Sequence, residues 1–107
     1  MFRVFRSDWY SKKLEKLDKS EQEIVSTFEQ RLKTDPYTGK PLGYVFFREK
    51  KFNGKRILFI VYDNHKCVFL ITITDKKAQR KEIELIKANL DVYKEKLDNI
   101  VKNLKPL

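Results

Sequence analysis

The sequence predicts an α+β domain. It should begin with a helical hairpin, continue as a twisted antiparallel sheet (a short first strand plus a three-strand meander), and close with one long helix. Three observations carry this. Residues 7–32 contain two successive cap-and-apolar-face patterns. Residues 44–74 contain three runs rich in β-branched and aromatic residues, separated by Asn-Gly and Asn-His. From Gln79 onward, apolar residues recur at alternating spacings of three and four.

Each element has a local reason. FRVFR, residues 2–6, alternates and suits a short first strand. Ser7 or Asp8 can cap a helix that places Tyr10, Leu14 and Leu17 on one face. After the LDKS link, Ser20 with Glu23 three positions later forms a capping-box pattern. Ile24, Val25, Phe28 and Leu32 give that second helix its apolar face. DPYTGKPLG, residues 35–43, has two prolines and two glycines and predicts a loop. YVFFREKKF (44–52), KRILFIVYD (55–63) and KCVFLITIT (66–74) are the meander strands. Asn53-Gly54 and Asn64-His65 suit tight turns because asparagine and glycine tolerate positive φ. Ile83, Ile86, Leu90, Tyr93, Leu97, Ile100 and Leu104 form one helical stripe over about 79–104.

The 107 residues suit a single domain spanning 1–107 with a modest core. A 41% hydrophobic content excludes a disordered composition. Cys67 is the only cysteine, which excludes an internal disulfide and fits a reducing compartment. MFRVFRSDWY has no signal-like apolar stretch, and ILFIVY and CVFLI are too short to span a bilayer. A cytoplasmic location with no membrane partner is the expectation.

Net charge is +9 and unevenly spread: residues 42–81 carry ten basic side chains against three acidic. Such a concentration favours a polyanionic partner, most often nucleic acid, over a uniformly solvated surface. No metal-ligand cluster, glycine-rich nucleotide loop or serine triad is visible, so neither metal nor cofactor is expected.

EKKFNGKRILF (49–59) and KKAQRKEIELI (76–86), placed after a helical hairpin and a DP…GKPL loop, resemble the RelE/ParE toxin superfamily. Its HigB-like, phage-related branch typically has an "ELR…G…R-aliphatic-aromatic" segment followed by one like "KKTQK…EIELA". The resemblance covers roughly residues 2 to 95. It implies a RelE-like fold and a cognate antitoxin partner. It implies a toxin acting on mRNA in the ribosome as a metal-independent endoribonuclease, or, as in ParE-type relatives, on DNA gyrase. A basic nucleic-acid-binding module of the same fold is the third possibility.

The resemblance also assigns roles. Arg56 matches an arginine aimed at the scissile phosphate, Lys76 and Lys77 a lysine pair, and Lys51 the basic residue of the first motif. A surface ion pair with Glu49 is the alternative use of Arg56. With a one-residue gap, Arg48 and Lys50 take the place of Lys51. Alternation puts Arg48 and Lys50 on one face and Glu49 and Lys51 on the other, so only one set can serve a site. Antiparallel pairing should bring Arg56 beside Lys76 or Lys77 at one end of the sheet. Lys55, Arg80 and Lys81 would add nucleic-acid contacts. Cations at a helix start oppose the macrodipole, and bound anion relieves this. Attack by a ribose 2′-hydroxyl on the adjacent phosphate needs charge stabilisation, which lysine and arginine supply. It also needs proton transfer, for which a crowded lysine is suited. The position of the RelE catalytic tyrosine falls near Glu82 or Ile83. His65 reads as a turn residue and Cys67 and Tyr93 as core; Trp9 and Tyr10 read as packing beneath the first helix, with stacking on bases as the alternative.

Overall fold

A computed structural model describes residues 1–103. Its sheet is covered by helices on both faces. Strand β1 (Arg3–Arg6) leads into α1 (Asp8–Glu15) and α2 (Lys19–Leu32), the predicted hairpin. Strands β2 (Lys40–Tyr44), β3 (Phe47–Phe52), β4 (Lys55–Tyr62) and β5 (Cys67–Asp75) follow. Helices α3 (Gln79–Ala88) and α4 (Leu90–Asn103) complete the described chain. The strand order is β1-β5-β4-β3-β2.

The two faces of the sheet hold separate cores. Val4, Ile57, Phe59, Val68 and Leu70 pack with Tyr10, Val25, Phe28 and Leu32 of the hairpin. Phe5, Leu58, Ile60, Phe69 and Ile71 pack with Ile86, Tyr93 and Leu97 of α3 and α4. A strand buried on both sides must be apolar at successive positions, which explains the unbroken runs in β4 and β5.

Four local expectations need correction. β1 joins the sheet, but parallel to β5 (Val4 opposite Val68): the hairpin carries the chain across one face from β1 at one edge to β2 at the other, and the antiparallel strands then return to β1. The 35–43 segment is not all loop: Lys40 and Pro41 pair with Glu49 and Arg48, adding an edge strand. The second helix is capped by Asp18, not Ser20. Asp18 accepts from the Glu21 amide, and Asp18-x-x-Glu21 has the same capping spacing two residues earlier. The last helix is two helices. Asn89 bonds the Leu85 carbonyl through its side chain and takes a non-helical φ of −127°, which stops α3. The apolar stripe still runs through the break to Leu97, Ile100 and Val101. Leu104, its last predicted position, lies outside the described residues.

The hairpin is locked to the sheet by polar contacts. Ser7 caps α1, accepting from the Tyr10 amide and donating to the Ile71 carbonyl at 2.6 Å. Arg6 reaches Glu29 of α2 bidentately, at 2.8 and 2.6 Å, and the Tyr10 hydroxyl donates to the same carboxylate at 3.0 Å. Glu29 is 2% exposed. Its bond raises the Arg6 pKa, while burial first and Glu29 second push the Tyr10 phenol far up.

Removing one member of such a network strands the others in low dielectric. Glu29→Ala should lower stability by about 3–5 kcal/mol in urea unfolding. The apolar triple replacement Arg6→Met, Tyr10→Phe, Glu29→Leu should recover most of that loss. Gly39 sits at φ +78°, and a Cβ there would land on the Glu49 carbonyl oxygen. Gly39→Ala should therefore destabilise the β2–β3 pair, read as faster amide exchange in both strands.

Candidate nucleic-acid interface

The basic end of the sheet is assembled by one tight turn and one register. Asn53 (φ 46°) and Gly54 (φ 74°) both take positive φ, the pair of values a type I′ turn demands. That turn sets Lys51 opposite Arg56, and β5 sets Thr74 opposite Arg56 on the other side. Lys51, Arg56 and Thr74 thus form a row across three strands. Lys76 and Lys77 leave β5 immediately after Asp75, which is registered with Lys55. The expected convergence of the two basic motifs is present in the register.

Arg56 is mostly buried, with its side chain 13% exposed, and it lines an open depression with Lys51, Asn53 and Gly54. Its Nε lies 3.9 Å from the Glu49 carboxylate, which is itself 2% exposed. That separation is an ion pair without a hydrogen bond, and Nε is left with no hydrogen-bond partner among the described residues. The Glu49 oxygen instead accepts from Gln79 Nε2 at 2.7 Å. Gln79 opens α3, so one bond ties the last helical pair to β3 and places a buried carboxylate behind Arg56. Of the two expected uses of Arg56, the ion pair with Glu49 is the one the geometry displays.

The other basic residues divide. Arg48 and Lys50 lie on the hairpin face. The Arg48 guanidinium donates to the carbonyls of Thr38, Val45 and Gly39 at 2.9–3.2 Å and covers the Tyr37 ring. Its fork is consumed in holding the 38–45 segment. Lys50 Nζ lies 6.0 Å from the Phe28 ring centre. Lys55 pairs with Glu21 at 2.8 Å. Arg80 is exposed 3.6 Å from Glu84, and Lys81 lines a depression beside Trp9. Lys51, Lys76 and Lys77 are exposed and form no ion pair among the described residues.

His65 occupies the 3₁₀ turn Asp63–His65, 3.8 Å from Asp98, at the far end of β4 from Arg56. A depression of 710 Å³ lies there too, lined by Tyr37, Val45, Phe46 and Leu90. The cations mark the opposite end. Burial raises the Tyr62 phenol, aided by Asp98, and raises Tyr93, aided by Glu82. It raises the Cys67 thiol as well. These groups hold their protons at neutral pH.

Two residues at the site were not singled out by sequence. Gln79 stood in the second motif without a role. Lys13 of α1 donates to the Ile73 carbonyl at 3.1 Å and lies 3.5 Å from Glu82. Only the packing of α1 on β5 brings it there.

No protein-family model matches the chain, and no curated protein matches it. Solved structures do. The isolated RelE toxin of Escherichia coli superposes with a TM-score of 0.64 at 17% identity, covering 80% of this chain and 99% of that one. The RelBE2 toxin–antitoxin complex of Mycobacterium tuberculosis gives 0.62 at 22% identity, covering 70% and 98%. The RelE–RelB complex of Pyrococcus horikoshii OT3 gives 0.62 at 17%, covering 70% and 94%. The fold is RelE-like. No helix among the described residues is long and apolar enough to cross a membrane.

Gln79→Ala removes the only hydrogen bond to the buried Glu49 carboxylate among the described residues. It should cost about 1–3 kcal/mol in urea unfolding. Glu49→Gln keeps an oxygen for Gln79 but removes the charge facing the mostly buried Arg56, so it should cost at least as much.

Proposed function

We propose that this chain is the toxin of a type II toxin–antitoxin pair, in the HigB-like branch of the RelE superfamily. In this reading it is cytoplasmic, is neutralised by a cognate antitoxin protein, and cleaves mRNA on the ribosome. The observation that carries the reading is the row Lys51–Arg56–Thr74 with Lys76 and Lys77 at its edge, on a RelE-like fold. An arginine held by a buried carboxylate, with solvated lysines around it, suits a phosphodiester.

The reaction would be a transesterification. The 2′-hydroxyl oxygen bonds to phosphorus, the bond from phosphorus to the 5′-oxygen breaks, and the products are a 2′,3′-cyclic phosphate and a 5′-hydroxyl. One proton leaves the 2′-hydroxyl and one reaches the 5′-oxygen. Arg56 and the lysines would stabilise the added charge on the phosphoryl oxygens, the contribution expected to dominate at such a site.

A second reading, a non-enzymatic poison of DNA gyrase, is favoured by one observation. The shifted phenols and the thiol are raised by burial, and the single histidine is at the other end of the sheet.

Inducing the protein in bacteria and mapping mRNA 5′ ends distinguishes them. New ends within translated frames and growth arrest are expected. Arg56→Ala, and separately Lys76→Ala with Lys77→Ala, should lower toxicity by at least about tenfold with unchanged circular dichroism. Growth arrest without new mRNA ends, together with inhibited supercoiling by purified protein, would establish the gyrase reading instead.

A further inference from the structure

We infer that the basic end of the sheet continues into a second phosphate-binding trough floored by α1, built to carry the neighbouring phosphates of a single-stranded RNA. This rests on the reading that Arg56 holds a nucleic-acid phosphate, and it extends that site by residues no motif marked: Lys13, Lys16 and Trp9.

The shape comes from three adjoining depressions. The one at Arg56, 260 Å³, shares Lys55 with a second of 210 Å³, lined also by Lys13, Lys16 and Thr74. The second shares Ala78 with a third of 650 Å³, lined by Trp9, Lys81 and Glu82. The shared residues make one path around the end of β5, from the β3–β4 turn to the start of α3.

The charge along that path is answered in part: Lys55 pairs with Glu21 and Lys13 with Glu82, whereas Lys51 and Lys81 form no ion pair among the described residues. Its acids are engaged: Asp75 accepts from the Ala78 amide at 2.8 Å, Glu82 lies 3.5 Å from Lys13, and Glu84 lies 3.6 Å from Arg80. Lys16 is exposed and forms no ion pair among the described residues. A lysine capping α1 is favoured by the helix dipole alone. That does not explain why Lys13, Lys16 and Lys55, from two elements, line the same small depression. Lys55 and Lys13 have Glu21 and Glu82 as partners, but Lys16 has none among the described residues, and a phosphate in the depression would supply one. Trp9 adds an aromatic surface at the far end, the second ingredient of single-strand binding.

Trp9 is the only tryptophan, so its emission reports on the third depression. The test compares binding of an oligouridylate of about twelve nucleotides with that of the dinucleotide UpU, each across a salt series. The longer RNA should bind more tightly and alter Trp9 emission, and UpU should do neither. Lys16→Ala should reduce the salt slope for the longer RNA by about 0.7, one phosphate contact. Lys16→Glu should reduce its affinity further, and both should leave UpU unchanged. Arg56→Ala should weaken both ligands. Unchanged affinity and slope in Lys16→Glu, with silent Trp9 emission, would overturn the trough even if Arg56→Ala still weakens UpU. Loss in Lys16→Glu without loss in Arg56→Ala would support the trough and remove the Arg56 reading.

Discussion

Covering the sheet on both faces buries the middle of its central strands β4 and β5 and leaves their ends nearer water. The helical hairpin occupies one face and the α3–α4 pair the other, each with its own apolar core. Every polar side chain on the central strands must therefore reach an end or find a buried partner. At the end where β4 starts, the row Lys51–Arg56–Thr74 does the first. Glu49, two residues into the sheet on the same face, does the second through Gln79. The site is where the constraint relaxes.

The same constraint sets how the helices attach. A helix laid on a sheet face by apolar contacts alone can slide, because those contacts are non-directional. Ser7, Arg6, Tyr10 and Glu29 supply direction on one face, and Gln79 with Glu49 supplies it on the other. Lys13 bridges the two systems, bonding a β5 carbonyl while facing Glu82 of α3. The geometry of the basic end is thus tied to helices on both sides of it.

Much of this was legible in the residues. Periodicity found the hairpin, the meander strands and the C-terminal stripe, because burial on a face leaves a pattern of 3.6 or 2. The Asn53-Gly54 turn fixed which residues oppose Arg56. Pairing with partners remote in sequence left no such mark. Nothing local announces that Lys40 and Pro41 join β3, or that β1 runs parallel to β5. Arg48 shows the limit most clearly. Beside Lys50 and Lys51 it reads as one more surface cation, yet three backbone carbonyls consume its guanidinium. Only the fold of the 38–45 segment, held open by Gly39 and Gly43 at positive φ, brings those carbonyls together.

Arg48 and Arg56 also differ in how their charge is compensated. Both guanidiniums are largely withdrawn from water, so both must be compensated. Arg48 is compensated by hydrogen bonds at ordinary distance to three carbonyls, which leaves little capacity for a ligand. Arg56 is compensated only by a carboxylate 3.9 Å away that is already bonded to Gln79. A bare arginine against a lone carboxylate would close to a bidentate pair. Gln79 competes for the oxygen nearest Arg56, so the arginine keeps its charge neutralised at a distance. Its Nε stays buried and without a hydrogen-bond partner among the described residues.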